Sequence, residues 1–222
     1  VSETTKIGGY FIGTSYDGKE IFNLLRDKTQ GESVSIIQNG EKIWSITKQY
    51  DRDTFDDEDS SVGFAIDVYQ ESINKTFREY LVNYTYLTRL LENYGFALLP
   101  VEEAKHMNLP SGSGMFSELF NMMNTELNRK TKSRFKYGSR DEYGAAPKMT
   151  SGEKKISFLN RYFVYKKIRD VDAEKVAYDL LGMTKSEEKE ATDADDVVQE
   201  IVSEVEQKLD DAMPKAADAM PK

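Results

Sequence analysis

Residues 8–18, Gly-Gly-Tyr-Phe-Ile-Gly-Thr-Ser-Tyr-Asp-Gly, contain the strongest local signal for the fold class. The apolar run at 9–14, punctuated by glycine, is typical of a buried strand that ends at a tight turn. After the turn, apolar residues recur at helical spacing at Ile21, Phe22, Leu24 and Leu25. Strand, turn and helix make half of a β–α–β unit, which predicts an α/β fold.

Further elements follow along the chain. Two β-branched stretches, 33–38 and 41–47, flank Asn39-Gly40, the dipeptide that best accommodates the positive φ angles of a hairpin turn. Apolar residues at helical spacing predict a helix over 79–94, which Gly95 ends. The remaining pattern predicts strands at 62–69, 96–100 and 162–168, a turn at 111–114, helices from Met115 and over 151–160, and a long loop over 129–152.

The negative charge is concentrated at the C-terminus. The chain has 30 Lys and Arg against 39 Asp and Glu, a net charge of −9, and residues 186–222 contribute −8 of it. An apolar stripe over 197–205 predicts one conditional helix there, because an isolated helix of that length is marginal in water. We expect a globular domain over residues 1–170 and an acidic, partly helical, low-complexity tail over 171–222.

Composition excludes several classes of protein. Cysteine is absent, which excludes a disulfide framework, a thiolate zinc site and a cysteine nucleophile, and the sequence shows no metal-ligand cluster. No apolar run approaches the roughly 20 residues that cross a bilayer, and the N-terminus lacks the regions of a signal peptide. We expect an intracellular protein. Because the chain opens with Val1 almost directly into a strand, we also expect it to be the downstream part of a longer polypeptide.

The strand at 8–14 and its Asp17-Gly18 turn resemble the fifth strand and following turn of the mRNA cap guanine-N7 methyltransferases. Four further features follow in that family's order: the hairpin strand at 41–46, Phe77-Arg-Glu-Tyr-Leu-Val82, a Tyr-Gly-Phe strand entry at 94–96, and Asn160-Arg-Tyr-Phe-Val-Tyr-Lys-Lys167. The residues at 69–74 and 79–83 are most similar to those of family members from large DNA viruses. The resemblance covers residues 2–168 and leaves out the tail.

The resemblance implies the C-terminal portion of a Rossmann-like methyltransferase sheet with a β-hairpin insertion. The implied reaction moves a methyl group from S-adenosylmethionine to N7 of the guanosine cap of RNA. Orientation of the reactants can supply much of the rate, so no catalytic acid or base is expected, and His106 is expected at the surface. The family's acidic-Gly-x-Gly-x-Gly cofactor loop is absent from residues 1–222, so we expect no cofactor-binding residue here and a fragment that is inactive alone.

The resemblance also implies the residues that bind the cap guanine. Glu79 matches the family's glutamate and would accept hydrogen bonds from guanine N1–H and the N2 amino group. A helix-start glutamate is the competing interpretation. The final strand offers Tyr162 as a cap contact or, if the match is aligned strictly from its C-terminal end, Asn160. Tyr16 is another candidate, and it lies where relatives often have proline in the turn after the first strand. Phe64 is a further candidate for contact with the base, and Val62 matches the same family position equally well by spacing. For Phe64, packing in the core is the better explanation.

A cationic run over 129–140 holds six basic residues and no acidic one, with two aromatic residues between them. This pattern favours contacts to an RNA backbone, and a solvated loop is the alternative with near-equal weight. The candidate RNA contacts are Arg129, Lys130, Lys132, Arg134 and Lys136.

Capped RNA is the expected partner, alongside other capping-enzyme domains or a stimulatory subunit, whereas neither DNA nor a membrane is expected. The resemblance places the protein in the host cytoplasm or the virion if it is viral, and otherwise in the nucleus. An alternative function is a non-catalytic RNA- or protein-binding module derived from a cap methyltransferase, with the acidic tail as a docking segment.

Overall fold

The computed structural model describes residues 1–132 and 143–181. The chain divides into two units, Val1–Val171 and Asp172–Lys222. The strands are β1 (Tyr10–Tyr16), β2 (Ser33–Gln38), β3 (Glu41–Lys48), β4 (Ala65–Gln70), β5 (Lys75–Tyr80), β6 (Phe96–Leu98), β7 (Ser113–Met115) and β8 (Asn160–Lys167). The helices are α1 (Gly18–Leu24), α2 (Tyr84–Asn93), α3 (Val101–His106), α4 (Phe116–Lys132), α5 (Ser151–Ser157) and α6 (Ala173–Leu181), with single 3-10 turns at Asp59–Ser61 and Ala146–Lys148.

The first sheet is built around β8. It has the order β1-β8-β6, and β7 also pairs with β8. All three partners run antiparallel to β8, so β1 and β6 point in the same direction with β8 between them. β1 ends opposite Asn160 at the start of β8, whereas β6 ends opposite Tyr165 and β7 pairs with residues 161–163 of β8.

The second sheet is an antiparallel meander in the order β2-β3-β4-β5. Its first hairpin confirms the prediction from Asn39-Gly40, because these residues take φ angles of 54° and 85°. One face of this sheet packs on α1. Ile21 of that helix and Leu25, which follows it, are fully buried in the cluster that contains Ile46 and Ile66. Each such side chain contributes about 1.5–3 kcal/mol by leaving water.

The predicted helix over 79–94 is wrong at its start. Residues Lys75–Tyr80 form β5, and the helix begins only at Tyr84. A hairpin turn at Asn74, with φ of 51°, folds the chain back onto β4. The Asn83 side chain then accepts hydrogen bonds from two backbone N–H groups and begins α2. Glu79 therefore lies on a strand and not in the first turn of a helix.

Several other helices, strands and turns differ from their predicted bounds. The predicted turn at 111–114 includes the start of β7, the helix after Met115 extends into the cationic run as far as Lys132, and α3 was not predicted. Of the described residues, none belongs to a helix that is both long and apolar enough to span a membrane.

In the second unit the structure describes residues 172–181, where Asp172 begins α6 by accepting a hydrogen bond from the Lys175 backbone N–H at 3.0 Å. The helix predicted over 197–205 lies outside the described residues.

Candidate functional site

Tyr16 ends β1 and reaches across to the second sheet. The Trp44 indole nitrogen donates a hydrogen bond to the Tyr16 hydroxyl at 3.0 Å, and the Gln70 side chain lies near the same hydroxyl. Burial raises the pKa of Tyr16, the Trp44 hydrogen bond and the nearby Gln70 side chain oppose the rise, and the Glu79 carboxylate adds to it. Tyr16 and Glu79 are therefore close enough to interact electrostatically.

Glu79 points toward the same side of the second sheet. In β5 it stands opposite Ile66, whose side chain is buried on the face that carries Trp44 and Gln70. Its carboxylate is half-buried and, among the described residues, has no hydrogen-bond or ion-pair partner. Burial raises the pKa of Glu79. A desolvated carboxylate without a partner is unfavourable, and such groups concentrate at functional sites.

Asn160 completes this side of the site from β8. It stands directly opposite Tyr16 in the register, so the two side chains share one face of the first sheet. The Asn160 amide nitrogen donates to the backbone oxygens of Ile156 and Ser157 at 3.1 and 3.2 Å, which orients the side chain at the end of α5. Its side-chain oxygen accepts no hydrogen bond from the part of the chain that the structure describes.

Tyr162 occupies a different environment. Its side chain is only 5% exposed, and its hydroxyl donates to the backbone oxygen of Ser111 at 3.1 Å. The ring also lies against Gly114, where a Cβ atom would collide with it. Of the two predicted residues of the last strand, Asn160 is therefore the one that the structure brings beside Tyr16, while Tyr162 lies beneath the segment that leads into β7.

Phe64 lies in the core and away from the site surface. Its ring packs against Tyr50 at 4.9 Å and Phe55 at 5.3 Å between ring centroids, and it is buried. Val62, its equal by spacing, is exposed. This packing agrees with the core role that the sequence favoured for Phe64. His106 is exposed at the end of α3, as expected.

The cationic run is described only in part. Arg129 is exposed, and its guanidinium donates to Glu126 at 3.1 Å. The backbone of Lys130 and Lys132 belongs to α4, whereas Arg134 and Lys136 lie outside the described residues. The RNA-contacting role of these residues stays a prediction.

Sequence reasoning missed three residues of the site: Trp44, Gln70 and Phe77. Phe77 precedes Glu79 by two positions in β5, so both side chains lie on one face, and it is 44% exposed. Trp44 is the single tryptophan of the chain, which was a usable signal. Gln70 carried no signal, because its contact with Tyr16 depends on the approach of the two sheets.

The Asp17 carboxylate and Gly18, in the turn after β1, already have partners within the chain. One Asp17 oxygen accepts hydrogen bonds from the backbone N–H groups of Lys19 and Glu20, and the other accepts from Arg161 Nε at 2.6 Å. A Cβ atom at Gly18 would collide with the backbone oxygen of Val82. This glycine therefore allows close packing of the chain on itself.

Comparison with known proteins identifies the family. A family model described as the mRNA (guanine-N(7))-methyltransferase domain matches residues 1–193. No curated protein matches the chain. The family match covers most of the sequence, including both sheets and the Tyr16, Glu79 and Asn160 positions. The chain therefore belongs to the mRNA (guanine-N7)-methyltransferase family.

Proposed function

We propose that, within cap guanine-N7 methylation, this chain supplies the guanine-recognition side of the site, with Glu79 as the residue that selects the base. The family acts on capped RNA with S-adenosylmethionine as methyl donor. The observation that carries the proposal is the half-buried Glu79 carboxylate, which has no partner among the described residues and lies near Tyr16.

The chemistry of Glu79 matches the Watson–Crick edge of guanine. An ionised carboxylate only accepts hydrogen bonds, and guanine offers two adjacent donors in N1–H and the N2 amino group. Adenine has a bare acceptor at N1, which an ionised carboxylate repels. Guanine would therefore satisfy the two oxygens that the protein leaves unpaired, and adenine would not.

Three neighbours are suited to hold the base in that orientation. Phe77 is the exposed aromatic on the Glu79 face, and its ring can stack on a base. Asn160 offers its side-chain oxygen to a donor from the other direction. Tyr16 is held in place by the hydrogen bond from Trp44, so we assign it the role of a rigid side chain between Asn160 and Glu79 that limits where the base can lie.

The described residues do not fit S-adenosylmethionine. The carboxylate that follows β1, Asp17, already accepts hydrogen bonds from Arg161 and from the first turn of α1. No space for a ligand remains beside Gly18, because the Val82 backbone packs against it. The acidic-Gly-x-Gly-x-Gly loop is absent from residues 1–222. We propose that segments outside these residues bind the cofactor, that this chain alone does not turn over, and that other capping domains or a stimulatory subunit are its partners. We also propose a viral source, and with it the host cytoplasm or the virion as the site of action.

The missing loop also supports a second candidate function, a non-catalytic RNA-binding module derived from a cap methyltransferase. The two candidates differ in one measurable property. A methyltransferase assembled with its cofactor-binding segments transfers a labelled methyl group to GpppRNA, whereas the binding module retains RNA affinity without transfer.

Titration with dinucleotide cap analogues tests the proposal. We expect the chain to prefer GpppG over ApppA, and Glu79→Gln to lower GpppG affinity by about ten-fold or more, because a bidentate charged contact is lost. Glu71→Gln is the matched control, since it removes the same charge from an exposed position of the same hairpin. Equal GpppG affinity in wild type and Glu79→Gln would contradict the assignment.

A further inference from the structure

A cavity lies between α2 and the first sheet. Its volume is about 470 Å³, and it is lined by Asp17, which follows β1, by Leu98 at the end of β6, and by Arg161 near the start of β8. Tyr84 and Arg89 of α2 line the opposite wall.

The cavity carries an excess of positive charge, which Arg89 supplies. Lys19, Arg89 and Arg161 line it together with Asp17, and two of these cations are paired, Lys19 with Asp57 at 2.6 Å and Arg161 with Asp17. Asp17 is buried and already accepts three hydrogen bonds, so it has little capacity left for a ligand. Arg89 is exposed and has no ion-pair partner among residues 1–132 and 143–181.

Arg161 is held with part of its guanidinium group free. Its Nε donates to Asp17 at 2.6 Å, its Nη1 donates to Ser113 at 3.4 Å, and its Cζ lies 5.3 Å from the centre of the Tyr84 ring. Its remaining nitrogen, Nη2, makes no hydrogen bond within the described ranges. A guanidinium held by one carboxylate and an aromatic ring is preorganised to donate to an oxyanion.

We propose that this cavity binds phosphate groups of the RNA substrate. An Arg89 guanidinium that is unpaired among the described residues and the free Nη2 of Arg161 in one concave site favour a phosphate ester over a neutral ligand, because guanidinium groups donate to phosphate oxygens in pairs. The assignment of the phosphates to RNA rests on the proposed function. It concerns residues other than the cationic run over 129–140.

The register connects this cavity with the guanine site. Arg161 stands opposite Ser15, and the next pair in the ladder is Asn160 opposite Tyr16. Neighbouring residues of a strand point to opposite faces, so the cavity and the guanine site flank one end of the same two strands. A capped RNA has a base joined to successive phosphates, which suits two adjacent sites of this kind.

Binding of short fluorescent RNAs to the full chain tests the inference. We expect Arg89→Ala to weaken binding of a capped pentanucleotide by about five-fold, and Arg89→Glu by more. The slope of log affinity against log salt should fall by about one, the amount expected for one lost phosphate contact. Arg26→Ala is the matched control, because Arg26 is an exposed arginine that does not line the cavity.

Two further ligands separate the sources of phosphate. If Arg89→Ala weakens binding of a 5′-hydroxyl pentanucleotide, the cavity binds backbone phosphodiesters. If Arg89→Ala weakens binding of GpppG alone, the cavity binds the triphosphate bridge of the cap. Both results support the inference. Arg89→Ala behaving like Arg26→Ala with both ligands overturns it. If Glu79→Gln leaves the preference for GpppG intact while Arg89→Ala weakens binding, the guanine assignment fails and the phosphate site stands.

Discussion

The indole N–H of Trp44 donates to the hydroxyl of Tyr16 at 3.0 Å, with the two ring centroids 6.4 Å apart. Trp44 belongs to the second sheet and Tyr16 ends the first strand of the first sheet. This contact therefore joins the two sheets at the point where the candidate guanine site lies.

Removing the Tyr16 hydroxyl should destabilise the protein. Tyr16→Phe leaves the buried Trp44 N–H without its acceptor, at a cost of about 1–3 kcal/mol in the free energy of unfolding. Urea unfolding followed by Trp44 fluorescence measures this, since Trp44 is the single tryptophan. Tyr10→Phe on the same strand is the control, because the Tyr10 side chain is exposed. Equal losses in the two variants would contradict the role assigned to this contact.

Glu79 should lower stability at neutral pH. Burial raises the pKa of Glu79 above its unfolded value, so between the two values the folded chain binds more protons and stability falls as pH rises. At pH 7 we expect Glu79→Gln to stabilise folding by a few tenths of a kcal/mol, about the amount left after solvent screening. The gain should vanish below the unfolded pKa, where both side chains are neutral. If Glu79→Gln is less stable than wild type at pH 7 and equally stable in acid, the pKa of Glu79 is lowered by folding and the prediction is wrong.

Phe77 should contribute to affinity for the base and not to stability. Phe77→Ala removes the stacking surface beside Glu79, and we expect GpppG affinity to fall by about 1–3 kcal/mol, or roughly 5- to 150-fold. Tyr80→Ala controls for loss of an exposed aromatic from the same strand, because Tyr80 is 60% exposed and points to the other face. Isothermal titration calorimetry gives both affinities. A similar loss in Tyr80→Ala would argue against stacking at Phe77.

The Asp17–Arg161 pair should stabilise the sheet edge. Asp17→Asn leaves the partly buried Arg161 without its charged partner and weakens the start of α1, so we expect a loss of about 2 kcal/mol in unfolding free energy. Glu102→Gln is the comparison, because the Glu102–Lys105 pair is exposed and such pairs contribute about 0–1 kcal/mol. Thermal unfolding of both variants measures the difference, and equal midpoints would show that the Asp17 pair is no stronger than a surface pair.

Local signals in the sequence were sufficient for the positions of the first strand, the Asn39-Gly40 hairpin and the last strand, but the expectation that the first strand is buried was wrong, because Tyr10 and Ile12 of β1 are exposed. A turn dipeptide and a run of alternating or apolar residues act over a few neighbouring positions, so they can be interpreted without the rest of the chain. The same reasoning failed at 79–83, because helical spacing of apolar residues from 84 onward was extended back into a strand. Pairing of β5 with β4 overrode that pattern.

Residue types in a fixed order were enough to indicate the family, the α/β class and Glu79, Tyr16 and Asn160 as candidates. The folded chain determined which of these residues meet. It placed Tyr16 against Trp44 and Gln70, left the Glu79 carboxylate half-buried without a described partner, and put Tyr162 beneath the β7 segment. Burial and partner distances arise from the packing of two sheets whose strands are far apart along the chain, and no local pattern records them.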